Sequence, residues 1–333
     1  MVPAVIAVDA GGTSTRAAVV GLTGDVLGVG VAGAGNPISS GVELATANVV
    51  TACRQAVQQA GTDPRLIGSL VTMAGGSTGL VAGSDIVARL TEGGLPGPVT
   101  LESDVLSAYF SGTPAPDGAV LVVGTGAVAG RVTDSKLSRV ADGLGWLIGD
   151  SGSGFWIGRA AAIAAASDLD GRGRQTVLTD EVLSEFGITR TGREVNGRPE
   201  AVSTLIHEVY QRRPIELARL ARPVLRHPDD PVASTILDLA ANALTNTITS
   251  LLGDDDLPLV LAGGLVGPAS ALHERLVSRL AGRRCLTATD GLAGAALLAL
   301  RQAGAEANQA VHSRLVAALA ARTIPVGSHA AGR

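Results

Sequence analysis

The stretch Val5–Val20, "VIAVDAGGTSTRAAVV", decides the fold, because it places a glycine-rich turn between two short apolar runs. Asp9 opens the turn, and Gly11 and Gly12 lie at its centre. A backbone without Cβ can bring its N–H groups close to an anion, so glycine turns after strands are typical of phosphate-binding loops. We therefore expect a phosphate site at this turn.

Two common phosphate-binding motifs do not fit the stretch. A P-loop ends in a lysine followed by serine or threonine, and the only lysine of the chain, Lys136, lies in "TDSKLS". A dinucleotide-binding fold needs a helix after the glycine turn, whereas residues 17–31, "AAVVGLTGDVLGVGV", alternate β-prone runs with a Thr-Gly-Asp turn. The sequence predicts an antiparallel meander of three strands.

Composition narrows the class of protein. A length of 333 residues favours two domains. Hydrophobic residues make up 46% and aromatic residues 2%, which is typical of helices packed on buried sheets. A net charge of −4 without a Lys/Arg run argues against a nucleic-acid surface. Cys53 and Cys285 form no Cys-x-x-Cys pair, so we expect no cysteine-held metal and a reducing compartment.

We also expect a soluble, cytoplasmic protein that does not bind a membrane. The beginning of the chain lacks the basic segment and cleavage site of a signal peptide. Its apolar runs stay shorter than the roughly 20 consecutive residues of a transmembrane helix.

The first half of the chain reads as β-β-β-α-β-α-β-α. The meander is followed by a helix at about Val42–Ala60, a strand at "LIGSLVTMAGG", a helix near Ser84–Leu90, a strand at "PVTLESD" and a helix at "VLSAYFSG". The segment Thr113–Gly118, "TPAPDG", has the proline and glycine density of a linker.

The second half repeats the opening pattern. Residues 118–134, "GAVLVVGTGAVAGRVTD", predict a strand, a glycine turn and a strand. An alanine-rich helix follows, then helices over roughly 180–253, a strand at "LPLVLAGGLVG" and further helices. Such an internal duplication predicts two α/β halves with a ligand cleft between them.

Five segments, taken in order, resemble one known family: residues 9–16 "DAGGTSTR", 101–108 "LESDVLSA", 122–130 "VVGTGAVAG", 142–161 "DGLGWLIGDSGSGFWIGRAA" and 259–267 "LVLAGGLVG". The chain resembles the N-acetylglucosamine kinase and BadF-BadG-BcrA-BcrD ATPase family of the sugar-kinase, Hsp70 and actin superfamily. The resemblance implies two RNase H-like domains with mixed five-stranded sheets flanked by helices, and ATP and sugar in the interdomain cleft. It also implies a homodimer.

The implied domains are an N-terminal actin-like ATPase domain over 1–112, completed by a C-terminal helix at about 305–321, and a nucleotide-binding actin-like domain over 118–303. Residues 322–333 are expected to form a tail.

Phosphoryl transfer requires positioned phosphates, Mg²⁺ and a base on the acceptor hydroxyl. The resemblance implies that Asp9 holds Mg²⁺, mostly through water. It implies that ATP is bound by Gly11, Gly12, Thr13, Ser14, Thr15, Arg16, Gly124, Thr125, Gly126, Gly263 and Gly264. The glycines at 263 and 264 would let the backbone approach adenosine.

The resemblance implies that Asp104 is the general base for a sugar hydroxyl. Taken alone, Asp104 reads equally well as the N-cap of the helix that follows it. The sugar-binding residues implied are Asn36, Gly75, Ser77, Asp104, Gly145, Trp146 and Asp150. The expected reaction is the ATP- and Mg²⁺-dependent phosphorylation of an amino sugar, foremost N-acetylglucosamine on its 6-hydroxyl.

Departures from the family pattern keep alternatives open. Ala127 and Val128 stand where the family often has Ser-Asn, and Ser151 replaces a usual glutamate. Glucosamine is therefore the closest competing substrate. A BadF-type activator ATPase needs cluster-binding cysteines, which Cys53 in a helix and the distant Cys285 do not provide. A non-catalytic sugar-binding module, such as a repressor, is disfavoured because no basic helix-turn-helix precedes Asp9 in this chain. An inactive kinase is disfavoured by the presence of both Asp9 and Asp104.

Overall fold

The computed structural model describes residues 2–61, 64–75, 83–253 and 255–322. The chain forms two compact units. The first unit comprises Met1–Asp117, Val132–Lys136 and Ala288–Arg333, and the second comprises Gly118–Arg131 and Leu137–Thr287.

The strands, in chain order, are β1 Pro3–Ala10, β2 Thr15–Gly21, β3 Val26–Ala32, β4 Arg65–Met73, β5 Val99–Ser103, β6 Gly118–Val123, β7 Ala127–Thr133, β8 Lys136–Asp142, β9 Glu194–Val195, β10 Arg198–Pro199, β11 Leu259–Ala262 and β12 Cys285–Thr287.

The α-helices are α1 Pro37–Ser40, α2 Val42–Gln59, α3 Gly83–Glu92, α4 Asp104–Gly112, α5 Gly154–Leu169, α6 Leu178–Glu185, α7 Glu200–Tyr210, α8 Ala221–Arg226, α9 Pro231–Thr249, α10 Ala271–Arg279, α11 Gly291–Gln302 and α12 Gln309–Ala321. A 3-10 helix spans Pro214–Leu220. Within the described residues, no helix has the length and apolar character needed to cross a membrane.

The sheet of the first unit has the strand order β3-β2-β1-β4-β5. The antiparallel pairing of β1 with β2 and of β2 with β3 confirms the predicted meander. β4 is parallel to both β1 and β5, with Ala10 opposite Met73 and Met73 opposite Ser103. The carboxyl ends of three strands therefore lie at one edge of the sheet, where ligands of such sheets bind.

The sheet of the second unit repeats this arrangement. Its order is β12-β11-β6-β7-β8, and β11 is parallel to both β6 and β12. The predicted fold class, two mixed five-stranded sheets flanked by helices, is confirmed. Strands β8 and β12 of this sheet were not predicted. β8 is largely exposed and carries Lys136, Arg139 and Asp142, so it lacks an apolar run, and β12 is only three residues long.

Close packing explains the glycines of β3. A Cβ on Gly28 would overlap the carbonyl oxygen of Ala56, and one on Gly30 would overlap that of Ala52. Both carbonyls belong to α2, which therefore packs directly against the strand. Residues 28–33, "GVGVAG", match the pattern G-x-G-x-x-G, and the first two of its glycines serve helix–sheet packing.

The compact units differ from the predicted domain boundaries at α11. This helix belongs to the first unit and packs against α4 and β1, whereas the predicted second domain extended to residue 303. The small residues of α11 allow the contact, since a Cβ on Gly294 would overlap the backbone of Ser107 in α4. A run of alanines and leucines predicts a buried helix, and it carries no signal for the sheet on which that helix packs.

Candidate active site

The first glycine turn joins β1 to β2 and is held by backbone hydrogen bonds. The N–H of Gly11 donates to the carbonyl of Ser14 at 3.0 Å, and the N–H of Gly35 donates to the carbonyl of Gly11 at 2.8 Å. No described atom lies within 4 Å of a Cβ added to Gly12. The turn is thus rigid on one side and open on the other, as an anion-binding backbone requires.

The hydroxyl groups of this turn divide into two kinds. Thr15 is fully buried, and its Oγ1 donates to the carbonyl of Gly33 at 2.9 Å. Thr13 is exposed and Ser14 is partly exposed. Thr13 and Ser14 therefore remain available for the predicted phosphate contacts, whereas Thr15 secures the neighbouring loop.

Arg16 lies between two carboxylates. Its Nη2 is 2.7 Å from Asp9 Oδ2 and 2.7 Å from Asp290 Oδ1, and its Nη1 donates to Asp290 Oδ2 at 2.9 Å. Asp290 also caps α11, because its Oδ1 accepts the N–H of Leu292 at 2.9 Å. Asp290 was not among the predicted site residues. Its Asp-Gly pair before an alanine-rich helix indicates an N-cap, but the pairing with Arg16 depends on tertiary structure.

The charged groups of this cluster shift one another's pKa values. Burial raises the pKa of Asp9, and the neighbouring charge of Asp290 adds to that rise, while Arg16 lowers it. Although burial opposes the change, the carboxylates of Asp9 and Asp290 raise the pKa of Arg16. The pairing keeps Arg16 cationic, so its charge is already compensated within the protein.

Asp104 is the first residue of α4. The N-cap is its neighbour Ser103, whose Oγ accepts the N–H of Val105 at 3.2 Å. Burial raises the pKa of Asp104, and the charge of Asp9 raises it further, against hydrogen bonds from the backbone N–H groups of Val105 and Asp104 and from the Ser103 side chain. A carboxylate with a raised pKa accepts a proton more readily at neutral pH.

Two predicted sugar-binding residues of the first unit lie together. Asn36 caps α1, since its Oδ1 accepts the N–H of Ile38 at 2.8 Å. A Cβ on Gly75 would lie 3.1 Å from the same Oδ1 and 2.8 Å from Ile38 Cδ1. Ser77, also predicted to bind sugar, lies outside the described residues.

The second glycine turn joins β6 to β7. The N–H of Gly124 donates to the carbonyl of Gly126 at 2.9 Å. The first N–H groups of α5 also stabilise the turn. Gly154 donates to the carbonyl of Gly124 at 2.8 Å, and Phe155 donates to that of Thr125 at 3.1 Å.

The predicted adenosine-binding glycines follow β11. Gly263 has φ +99°, and a Cβ there would overlap the carbonyl oxygen of Val123 at the end of β6. No described atom lies within 4 Å of a Cβ added to Gly264. Gly263 is required by the fold, and Gly264 leaves its backbone open to a ligand.

Asp150 supports the second turn by a hydrogen bond to the backbone of Ala127, the residue after the turn. It is 7% exposed, and its Oδ1 accepts the N–H of Ala127 at 3.1 Å. Its own N–H and that of Ser151 donate to the carboxylate of Asp142 at 2.6 and 2.9 Å. Burial and the charge of Asp142 raise the pKa of Asp150, against the hydrogen bond from Ala127. The side chain of residue 127 takes no part in that bond.

The loop between Asp142 and Asp150 presents apolar side chains to solvent. Trp146, which follows Gly145, is 40% exposed and lies against Phe155, with ring centroids 5.4 Å apart. Leu147 and Ile148 are 77% and 75% exposed. A cluster of exposed apolar side chains on a braced loop is a candidate binding surface.

A magnesium ion would find one suitable carboxylate here. Over the described ranges, no group of three or more His, Cys, Asp or Glu residues is arranged to hold a metal. Mg²⁺ in phosphate sites commonly takes one or two carboxylates and completes its shell with water and phosphate oxygens. Asp9, beside the open turn at Gly12, fits that mode of binding.

Comparison with known proteins agrees with this geometry. The profile of the BadF/BadG/BcrA/BcrD ATPase family matches residues 6–299. The chain belongs to this family. The match includes both glycine turns and Asp104, and it confirms the predicted family.

The named relatives of this ATPase family member include two bacterial sugar kinases. It is 28% identical over 191 residues to an N-acetylmuramic acid/N-acetylglucosamine kinase from Clostridium acetobutylicum, covering 54% of this chain and 58% of that protein. It is 30% identical over 186 residues to a glucosamine kinase from Vibrio cholerae, covering 54% and 60%. The chain thus matches less than two thirds of the length of either relative.

A solved structure extends the likeness over most of the chain. A candidate N-acetylglucosamine kinase from Chromobacterium violaceum superposes with a TM-score of 0.69 and 25% identity, over 89% of this chain and 99% of that one. The homodimer implied by the resemblance stays a prediction.

Proposed function

We propose that the protein is an ATP-dependent amino-sugar kinase that transfers the γ-phosphate of ATP to the 6-hydroxyl of N-acetylglucosamine. The observation that carries the proposal is the placement of Asp9 and Asp104 at one edge of the first sheet, beside an open glycine turn. The assigned activities of the named relatives support a sugar acceptor.

Asp104 is the proposed general base. Its carboxylate accepts the proton of the sugar hydroxyl as that oxygen attacks the γ-phosphorus, and the bond from the γ-phosphorus to the β,γ-bridging oxygen breaks. The raised pKa of Asp104, caused by burial and by the charge of Asp9, favours this proton transfer. A positioned base contributes about 10²- to 10⁴-fold to such a rate.

The glycine turns are the proposed phosphate-binding elements. The N–H groups around Gly12 and the hydroxyls of Thr13 and Ser14 would orient the β- and γ-phosphates. The second turn, Gly124–Gly126, would contribute further N–H groups. Asp9 would hold Mg²⁺, which when bound neutralises charge on the phosphate oxygens.

The loop 142–151 supports an N-acyl sugar over a free amino sugar. A protonated amine favours an exposed carboxylate, whereas Asp150 is buried and both carboxylates of this loop accept the N–H groups that hold its backbone. The exposed side chains are apolar instead, with Trp146 and Leu147 foremost. An acetamido methyl group suits such a surface.

The cysteines argue against the activator ATPase alternative. Burial raises the pKa of the Cys53 thiol to about 12, and Cys53 packs in the core of the first unit. A thiolate is the form that ligates a metal cluster. Cys53 therefore does not fit a cluster ligand.

An ADP-release assay tests the proposal. The purified protein is given Mg-ATP with N-acetylglucosamine, glucosamine, N-acetylmannosamine, N-acetylmuramic acid, glucose or no sugar. We expect release with N-acetylglucosamine and the 6-phosphate as product by ³¹P NMR. Release with glucosamine alone would move the assignment to the free amine, and release independent of every sugar would sink the kinase in favour of an ATPase.

A further inference from the structure

The guanidinium of Arg16 is committed to protein carboxylates. Nη2 contacts both Asp9 and Asp290, and Nη1 contacts Asp290. Arg16 meets both oxygens of Asp290, with a hydrogen bond from Nη1 to Oδ2 and an ion-pair contact of Nη2 with Oδ1, and it meets one oxygen of Asp9 through a hydrogen bond. Bidentate pairing fixes the plane of a guanidinium more firmly than one hydrogen bond does. Asp290 therefore sets the orientation in which Arg16 meets Asp9.

Asp290 is itself held in place. Its Oδ1 accepts the N–H of Leu292, so the carboxylate is anchored to the first turn of α11. The preceding residue, Thr289, makes two hydrogen bonds to Ser111 of α4, its N–H to Oγ at 3.1 Å and its Oγ1 to the carbonyl at 2.7 Å. The segment before α11 is thus tied to the helix that begins at Asp104.

The same segment leaves room for Asp9. A Cβ on Gly291 would lie 2.8 Å from Asp9 Oδ2 and 3.3 Å from Oδ1. Arg16 meets Asp9 through Oδ2 alone, and no described side chain donates a hydrogen bond to Oδ1. Among the described residues, Arg16 engages one oxygen of Asp9, and the other stays open to a ligand.

We propose that Asp290 is a positioning residue for the phosphate site. It holds Arg16 in a bidentate pair, so that Arg16 restrains Asp9 through one oxygen and leaves the other for a divalent cation. Without Asp290, the fork of Arg16 turns onto both oxygens of Asp9 and competes with the cation. The inference rests on the proposed cation-binding role of Asp9.

The test is Mn²⁺ binding in the presence of ADP without sugar, followed by the EPR signal of free Mn²⁺. Outer-shell partners commonly contribute about 10- to 100-fold to metal affinity, and we expect Asp290→Ala to weaken Mn²⁺ binding by that factor. Asp290→Asn keeps an oxygen for Leu292 and Arg16, so a smaller loss is expected. The KM for sugar should stay unchanged in both variants.

The matched control is Asp230→Ala. Asp230 caps α9 in the second unit, accepting the N–H groups of Val232 and Ala233 at 2.9 Å. This variant also loses an aspartate cap, and we expect its Mn²⁺ affinity to equal that of the wild type. Thermal unfolding without ligand monitors folding of every variant. If Asp290→Ala does not fold, the Asp290→Asn measurement decides.

Three results would overturn the inference. The first is unchanged Mn²⁺ affinity in folded Asp290→Ala, or in Asp290→Asn if the alanine variant does not fold. The others are equal losses of Mn²⁺ affinity in Asp290→Ala and Asp230→Ala, and a wild type that binds no Mn²⁺ in the presence of ADP. The kinase proposal fails separately. A wild type that binds Mn²⁺ and ADP but phosphorylates no sugar removes the kinase and leaves the role of Asp290 measurable.

Discussion

The two glycine turns occupy equivalent places in sheets of equivalent order, yet they are held by different interactions. The first turn lies beside an ion-pair cluster, in which Arg16 joins Asp9 to Asp290. The second turn is held through its backbone: its carbonyl groups accept N–H groups of α5, and the N–H of Ala127 donates to the carboxylate of Asp150. The two sheets share a strand arrangement, but the side chains that support their glycine turns differ.

This difference in supporting interactions suggests different roles for the carboxylates at the two turns. In the first unit, the carboxylate of Asp9 is paired with Arg16, and its charge raises the pKa of Asp104. In the second unit, the carboxylates of Asp142 and Asp150 accept backbone N–H groups. We expect substitutions in the first unit to act on the reaction, and those in the second on stability and binding.

The largest expected effect is that of Asp104→Asn. Loss of the proposed base should lower kcat by about 10²- to 10⁴-fold with little change in stability. Glu102→Gln is the matched control, since burial also raises the pKa of Glu102, opposed by Lys136, in the strand that precedes Asp104. Steady-state kinetics with ATP and N-acetylglucosamine measure both. Equal kcat losses in the two variants would contradict a specific role for Asp104.

The second prediction compares adjacent glycines of the second unit. Gly263→Ala should destabilise the protein by about 1–3 kcal/mol from its backbone conformation alone, and overlap with Val123 adds to that loss. Gly264→Ala has open space and should leave the free energy of unfolding nearly unchanged. Urea denaturation measures both variants. A Gly264→Ala variant that is stable but weakened in ATP binding would support the adenosine contact.

Local spacing made much of the first unit predictable. Asp9 and its glycines were found because a strand, a turn and a strand fall within sixteen consecutive residues, Val5–Val20, and such a hairpin is determined locally. Asp104 was placed at the end of a strand for the same reason. The sequence could not decide whether Asp104 is the N-cap of α4, because that depends on whether Ser103 or Asp104 accepts the N–H of Val105.

Long-range contacts account for what sequence reasoning missed. Asp290 is 274 residues from Arg16, so no local pattern connects them. Arg16 was predicted to bind ATP, and its pairing with two carboxylates could not be read from the sequence. The hydrogen bond from Ala127 to Asp150 could not be predicted for another reason. Its donor is a backbone N–H, which every residue but proline possesses, so no particular side chain marks the contact.

The third prediction breaks that support. Asp150→Ala leaves the buried N–H of Ala127 without its acceptor, which should cost about 1–3 kcal/mol of unfolding free energy. Asp150→Asn keeps a carbonyl oxygen at the same place and should recover most of that loss. Thermal unfolding and the KM for ATP measure the two variants. An alanine variant as stable as the asparagine variant would show that the hydrogen bond contributes little.

The smallest effect concerns pH and decides which carboxylate governs the rate. Burial raises the pKa of both Asp104 and Asp150. A general base works deprotonated, so kcat should fall as the pH drops through the raised pKa of Asp104, above the ordinary aspartate value of about 3.9. Asp150→Asn should keep this acidic limb, because a group that supports the turn need not change protonation during the reaction. If the limb disappears in Asp150→Asn while kcat at neutral pH is retained, the titrating group belongs to the second turn, and the division of roles between the two turns is wrong.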